Sequence, residues 1–170
     1  MNTPNKLTIL RVLLIPVICL LLGLHLMLPA AIVFIVAAVT DFLDGYIARK
    51  NKLITNFGKF ADPVADKLLV LTSMVFLCQM GLLPAWAVCI VVARELAVDG
   101  LRLIAVEQGR VVPAGILGKI KTNTQLLCVL SAMLSLPQAI TMTLVILMSA
   151  MTLISGIQYF VQLKDVFQNN

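Results

Sequence analysis

Residues 30–66 read AAIVFIVAAVTDFLDGYIARKNKLITNFGKFADPVAD, and this stretch decides the fold. It opens on an unbroken apolar run, meets Asp41 and Asp44, crosses a short basic segment and returns through Asp62 and Asp66. A further apolar run follows. Two apolar runs of helical length, joined by a short charged link, predict two antiparallel helices that meet at their polar ends.

The composition of the whole chain agrees with this pattern. Of its 170 residues, 61% are hydrophobic and 12% are charged, whereas a soluble domain has about 25% charged and 45–50% apolar residues. A soluble fold of this size leaves too much surface exposed to hide so many apolar side chains. We therefore predict a single membrane domain over residues 1–170.

Two other classes of protein are disfavoured by the charges and the cysteines. The net charge is +5, but the cations lie beside or within apolar segments and form no basic tail, so they indicate membrane topology and no nucleic-acid partner. The four cysteines are scattered singly, without a CxxC pair, which argues against a zinc site or a disulfide framework.

Six apolar segments have the length of a spanning helix, which needs about 20 residues. They are residues 7–26, 30–48, 61–80, 85–105, 116–136 and 139–162. Pro29, Pro84 and Pro137 are placed in the connections, where a missing backbone donor does least harm. Pro63 is placed in the first turn of its helix for the same reason. The predicted fold is all-α, with six transmembrane helices.

The charges in the connections predict the orientation of the six helices. Three connections carry no Lys, Arg, Asp or Glu, and the opposite side is basic. The basic side holds Lys6, Arg11, Arg49, Lys50, Lys52, Lys59, Arg102, Arg110 and Lys164. The positive-inside rule makes that side cytoplasmic, together with both termini. Further charges inside the spans are costly in lipid, which predicts a polar cavity open to the cytoplasm.

The four aspartates indicate a metal site. Asp41 and Asp44 are three residues apart and Asp62 and Asp66 four apart, so each pair shares one face of a helix. Four converging carboxylates repel one another unless cations neutralise them. Mg²⁺ is the expected ion, with Mn²⁺ as an alternative. Two such ions about 4 Å apart are a recurring device for displacement at phosphorus.

The residues between the aspartate pairs suit a nucleotide. Gly45 and Gly58 let a ligand approach the backbone closely, Ala48 keeps the same helix face shallow, and Arg49 can neutralise a phosphate. Each piece alone has a simpler explanation, such as a solvated helix end, a packing glycine or an ion pathway. The full pattern, D-x2-D-G-x2-A-R-x8-G-x3-D-x3-D, is far more specific.

Residues 41–66 resemble the signature of the CDP-alcohol phosphotransferase family without departure. The resemblance extends toward the bacterial branch that makes phosphatidylglycerophosphate, through residues 4–11, 57–63, 93–95, 100–102, 118–122 and 155–160. It implies a transfer of the phosphatidyl group from CDP-diacylglycerol to glycerol 3-phosphate, with release of CMP. It also implies a homodimer in a membrane lipid environment.

The resemblance implies a role for each matching residue. Asp41, Asp44, Asp62 and Asp66 would ligate two metal ions, and Asp66 would also be the general base. The cytidine diphosphate site would be lined by Asn5, Thr8, Gly45, Ala48, Arg49, Gly58 and Asp62.

The phosphate of the acceptor needs cations of its own. Arg94, Arg102, Lys119 and Lys121 lie on two successive helices and are the candidates, because Arg grips phosphate with two donors and Lys acts as a point charge. Their alternative role is snorkelling toward the cytoplasm or pairing with Glu95 and Asp99. Glu95 would then orient an arginine.

Two other functions compete with this interpretation. A sibling transferase would use serine, an inositol phosphate or phosphatidylglycerol as acceptor, although the four cations favour a phosphorylated acceptor. A small ion or proton transporter would explain the intramembrane acids. It would not explain Gly45, Ala48, Arg49 and Gly58 at their spacings.

Overall fold

A computed structural model describes residues 3–50, 56–107 and 115–164; the side chains of residues 3–6, 41–50 and 56–60 fall outside this description. Within these ranges the chain forms six helices and no strand. The helices are α1 (Thr3–Gly23), α2 (Met27–Lys50), α3 (Asn56–Gln79), α4 (Ala85–Glu107), α5 (Ile116–Met133) and α6 (Gln138–Gln162). The predicted all-α class and the six helices are confirmed.

Helices α1, α2 and α3 all begin ahead of the predicted spans, and in α2 and α3 the earlier start changes the place of a proline. Helix α3 begins at Asn56, ahead of the predicted start at residue 61, so Pro63 lies inside the helix rather than in its first turn. Helix α2 begins at Met27, so Pro29 lies within its first turn rather than in the connection. An apolar-length criterion finds the lipid-compatible part of a helix, whereas backbone hydrogen bonds carry the helix on through polar residues.

Three of the helices end in the same kind of tight turn. Helices α1, α3 and α5 are each followed by a residue with positive φ: His25 (58°), Gly81 (75°) and Ser135 (51°). Each turn carries a 5→2 and a 6→1 backbone hydrogen bond, such as His25 to Leu22 at 2.9 Å and Leu26 to Leu21 at 2.8 Å. This is the Schellman motif, which satisfies the last carbonyls of a helix. The three uncharged connections are therefore compact.

The chain divides into two compact units. The first comprises Met1–Leu82 with Ala132–Ser135, and in it α1 packs along both α2 and α3. The packed face of α1 has alternating spacings of three and four residues, as expected for one face of a helix. Its buried members are Thr8, Arg11, Ile15, Ile18 and Leu22. One end of this face is thus polar and the rest is apolar.

The second unit comprises Leu83–Ser131 with Leu136–Asn170. In it α4 packs against α6. A buried cluster joins the two helices and consists of Val98, Leu101, Ala105, Tyr159 and Leu163. Helix α5 contributes a buried lysine, Lys121, which contacts Glu95 of α4. The second unit therefore also combines an apolar core with a buried polar contact.

Large apolar side chains remain exposed on the helices. Leu13, Leu103 and Ile116 are 61%, 66% and 77% exposed, more apolar surface than a soluble monomer usually presents. Of the described helices, only Gln138–Gln162 is long and apolar enough to cross a membrane by length and composition. Helix α3 carries Asp62, Asp66 and Lys67, and such charges lower its mean hydropathy.

Candidate active site

Two hydrogen bonds connect α1 to the aspartates of α3, one donated by a hydroxyl group and one by a guanidinium group. Thr8 Oγ1 donates to Asp62 Oδ1 at 2.5 Å, and Arg11 Nη1 donates to Asp66 Oδ1 at 2.9 Å. We call these four residues the carboxylate ladder. It lies within the first compact unit and brings together three residues that the sequence placed in the site, namely Thr8, Asp62 and Asp66.

The spacing of the residues explains the two hydrogen bonds. Thr8 and Arg11 are three residues apart on α1, and Asp62 and Asp66 are four apart on α3, so each pair lies on one helix face. Packing of α1 along α3 then sets the donors opposite the acceptors. Arg11 is fully buried, whereas the side chain of Asp66 is 39% exposed. The ladder therefore holds Asp66 from its buried side while leaving part of the carboxylate accessible.

The described half of the predicted metal site has suitable chemistry. Asp62 and Asp66 supply carboxylate oxygens, which are the donors that Mg²⁺ prefers, and both are oriented by neighbours that would act as outer-shell partners. The side chains of Asp41 and Asp44 lie outside the described part of the chain. Among the residues that were described, no group of three His, Cys, Asp or Glu side chains comes together. The donors present fit a divalent cation.

The other residues predicted to bind the nucleotide lie outside the part of the chain whose side chains the structure describes. They are Asn5, Gly45, Ala48, Arg49 and Gly58. Thr8 is described: it is 1% exposed and its hydroxyl is engaged with Asp62. For Thr8, the structure thus adds a contact with a predicted metal ligand to the predicted role near the nucleotide.

Two arginines of α4 converge on one aromatic ring of α6. The guanidinium carbons of Arg94 and Arg102 lie 5.6 and 5.4 Å from the centroid of the Tyr159 ring. Arg102 Nη2 also donates to Tyr159 Oη at 2.7 Å. Guanidinium groups within about 6 Å of an aromatic centroid are attracted by the negative face of the ring. The ring therefore stabilises two of the four predicted phosphate-binding cations.

A third predicted cation is paired with an acid. Glu95 is 3% exposed and accepts hydrogen bonds from Lys121 Nζ and, at 3.4 Å, from Arg94 Nη1. We call Arg94, Glu95, Arg102, Lys121 and Tyr159 the arginine cluster. Lys119 is exposed, and no described contact joins it to the cluster. The alternative pairing of these cations with Glu95 is thus observed for Arg94 and Lys121.

Arg11 and Tyr159 were not among the predicted site residues. Arg11 was interpreted as a topology-setting cation of the basic side, but it is buried and paired. The available signal is its spacing of three residues from Thr8, which places both side chains on one face of α1. Tyr159 lies in the closing stretch 155–160, which resembles the family but implies no role for this residue. Its partners are distant in sequence, so no local pattern pointed to them.

Comparison with known protein families gives a match over most of the chain. Residues 1–156 match the CDP-alcohol phosphatidyltransferase family. The matched region includes the carboxylate ladder and every member of the arginine cluster except Tyr159. The signature aspartates and the cations that surround Glu95 are therefore features within a family-wide domain.

Individual relatives are similar to this chain at 36–45% identity. A CDP-diacylglycerol–glycerol-3-phosphate 3-phosphatidyltransferase of Bacillus subtilis is 45% identical over 150 residues, covering 78% of this chain and 77% of the relative. A probable phosphatidylglycerophosphate synthase of Mycobacterium tuberculosis is 36% identical over 175 residues, covering 97% and 83%. A Rickettsia typhi enzyme with the same name as the Bacillus protein is 43% identical over 128 residues, covering 74% and 72%.

Proposed function

We propose that this chain, which belongs to the CDP-alcohol phosphatidyltransferase family, transfers the phosphatidyl group of CDP-diacylglycerol to glycerol 3-phosphate. The products are phosphatidylglycerophosphate and CMP, so the enzyme acts in phospholipid biosynthesis. The observation that carries the proposal is the similarity, along 97% of the chain, to a probable phosphatidylglycerophosphate synthase. The carboxylate ladder supports it, because it orients two of the four signature aspartates.

Binding of the donor is assigned to residues of the first three helices. Asp41, Asp44, Asp62 and Asp66 would hold two divalent cations, Mg²⁺ or Mn²⁺, which when bound would neutralise the diphosphate and the departing CMP. Gly45, Ala48, Arg49 and Gly58, together with Asn5, Thr8 and Asp62, are assigned to the cytidine diphosphate. The support for Thr8 is its hydrogen bond to Asp62, which positions that carboxylate.

Asp66 is assigned as the general base. It accepts the proton of the acceptor hydroxyl, whose oxygen then forms a bond to the phosphorus that carries diacylglycerol. The bond from that phosphorus to the bridging diphosphate oxygen breaks, and CMP leaves with the electron pair. Arg11 holds Asp66 Oδ1 at 2.9 Å, so the carboxylate is oriented before substrate binds, which supplies part of the proximity effect.

Binding of the acceptor phosphate is assigned to Arg94, Arg102, Lys119 and Lys121. The quartet carries four positive charges, and Glu95 and Asp99 on α4 bring two negative charges. The net charge of these six residues balances the two negative charges of a phosphate monoester, which loses its second proton with a pKa of about 6. The Nε atoms of Arg94 and Arg102 are buried and have no hydrogen-bond partner among the described residues. Such donors suit an anionic ligand.

The membrane setting follows from the family and the exposed apolar helices. We assign all six helices to the bacterial cell membrane, around a polar cavity open to the cytoplasm, with both termini on the cytoplasmic side. The exposed apolar residues of the helices support contact with lipid. A homodimer is the assembly that the family resemblance implies. An ion transporter is not retained, because the chain belongs to a transferase family.

The proposed activity is tested by measuring CMP release from purified protein in detergent with CDP-diacylglycerol and Mg²⁺. The acceptors compared are glycerol 3-phosphate, glycerol, serine, an inositol phosphate and phosphatidylglycerol. We expect release with glycerol 3-phosphate alone, and its loss with a chelator. Release with another acceptor would keep the chemistry and overturn the acceptor assignment. Folded protein that releases no CMP with any acceptor would overturn the proposal.

A further inference from the structure

Tyr159 is the residue around which the two predicted phosphate-binding arginines are arranged. Its side chain is 3% exposed and belongs to the buried cluster between α4 and α6. Arg94 and Arg102 both lie within 5.6 Å of its ring centroid. Since two guanidinium groups repel each other, their shared position needs a compensating attraction. The ring face and the tyrosine oxygen provide it.

The two arginines are held by different contacts. Arg102 donates from Nη2 to Tyr159 Oη at 2.7 Å, which ties its guanidinium group to the tyrosine oxygen. Arg94 packs its stem on α6: a Cβ placed on Gly156 would lie 3.3 Å from Arg94 Cγ. Gly156 and Tyr159 are three residues apart and thus share one face of α6. This face positions both cations.

The ring itself is rigidly placed. Tyr159 belongs to one buried cluster with Val98, Leu101, Ala105 and Leu163, which are at most 5% exposed. A packed aromatic ring has few alternative rotamers, because protein interiors are close to crystalline density. The positions of the guanidinium groups are therefore determined before an anion binds, and little conformational entropy remains to be lost.

We infer that Tyr159 is a positioning residue that sets the affinity of the enzyme for a phosphorylated acceptor. It acts through Arg94 and Arg102 and does not itself contact the reacting atoms. The inference rests on the proposed function, because it assigns the two arginines to the acceptor phosphate. It also gives a role to the closing stretch 155–160, which the family signature does not explain.

Two substitutions separate the hydrogen bond of Tyr159 from its ring. Tyr159→Phe keeps the ring and removes the acceptor for Arg102, so the KM for glycerol 3-phosphate should rise about fivefold. Tyr159→Leu removes the ring as well, and that KM should rise about 30-fold. The KM for CDP-diacylglycerol should stay within about twofold in both variants, because the donor is assigned to other residues. Phe160→Leu is the matched control, since Phe160 is the next residue of α6 and is 45% exposed.

A purely structural role for Tyr159 predicts a different result. Loss of packing would lower kcat or the yield of folded protein without raising the KM for one substrate. Isothermal titration of glycerol 3-phosphate onto each variant provides a readout independent of turnover. The dissociation constant should rise about fivefold in Tyr159→Phe and about 30-fold in Tyr159→Leu. If Tyr159→Leu fails to fold, Tyr159→Phe carries the test alone.

The outcomes are distinguishable from failure of the proposed function. If wild-type protein releases no CMP with glycerol 3-phosphate, the proposed function fails. If wild-type protein is active and Tyr159→Phe leaves both the KM and the dissociation constant of glycerol 3-phosphate unchanged, the inference about Tyr159 is overturned and the function stands. An equal rise of both substrates' KM values would also overturn it.

Discussion

The carboxylate ladder and the arginine cluster are organised by different interactions. In the ladder, α1 donates a direct hydrogen bond to each aspartate, at 2.5 Å to Asp62 and 2.9 Å to Asp66. In the cluster, two cations are held by an aromatic ring, a short tyrosine contact and the backbone of a glycine. The ladder carries excess negative charge and the cluster excess positive charge.

The difference follows from the ligands assigned to each region. A metal ion needs carboxylate oxygens at defined positions, and donors from a neighbouring helix orient them as outer-shell partners do. A phosphate dianion needs several N–H donors, and an acid facing each arginine would compete for those donors. A ring attracts a guanidinium group through its face and leaves the N–H edge available. In the cluster the ring thus leaves N–H donors available to the ligand, while Glu95 accepts hydrogen bonds from Arg94 and Lys121 and lowers the net positive charge.

The largest effect is expected when the ladder loses Asp66, the proposed base. Asp66→Asn keeps the size of the side chain but removes its basicity, so CMP release should fall by about 10³-fold. The measurement is the initial rate with saturating substrates, on protein shown to be folded by circular dichroism in detergent. Glu107→Gln, an exposed acid of α4, is the control and should retain full activity. Substantial turnover in Asp66→Asn would remove Asp66 as the base.

A smaller effect is expected when the partner of Asp66 is removed. Arg11→Met keeps much of the buried stem but deletes the donor to Asp66, and kcat should fall about 30-fold. Arg11→Lys keeps a charge and should lose less activity than Arg11→Met.

The combined variant tests whether Arg11 works through Asp66. If it does, Arg11→Met should add little to Asp66→Asn, because the two changes remove the same interaction. Fully additive losses in the double variant would indicate that Arg11 acts elsewhere. An unchanged KM for glycerol 3-phosphate in Arg11→Met would keep its effect distinct from that of the arginine cluster.

The cluster is expected to respond through substrate affinity. Lys121→Ala removes the cation that pairs with buried Glu95, so Arg94 is drawn toward the acid and the KM for glycerol 3-phosphate should rise about tenfold. Lys119→Ala removes an exposed cation and should raise it by less. Steady-state kinetics with varied glycerol 3-phosphate provide both values. A larger effect at Lys119 than at Lys121 would contradict the assignment of Lys121 to the cluster.

The smallest effect is expected at the hydrogen bond from Thr8 to Asp62. Thr8→Val is nearly isosteric and removes only the hydroxyl that donates to Asp62, so the Mg²⁺ concentration for half-maximal activity should rise about fivefold. Thr143→Val is the control, because the Thr143 hydroxyl bonds only to the backbone of Ala139 among the described residues. Equal Mg²⁺ requirements in the two variants would separate Thr8 from metal binding.

Much of the architecture was predictable from local sequence. The apolar runs located six helices, because a helix that meets lipid must satisfy its own backbone and present apolar side chains. The shared face of Asp62 and Asp66 was predictable for a similar reason, since a spacing of four residues places side chains on one helix face whatever the helix packs against. The starts of α2 and α3 were less predictable, because Pro29 and Pro63 are tolerated inside a helical turn.

The sequence by itself determined the helical class, the faces that carry the aspartates and the family to which the chain belongs. Only the tertiary structure decided which donors meet those acids and which ring meets the arginines. The contacts of Thr8, Arg11 and Arg102 join residues 54, 55 and 57 positions apart. Such pairs depend on how packed helices are rotated against each other, and that rotation is set by side-chain packing along their whole length.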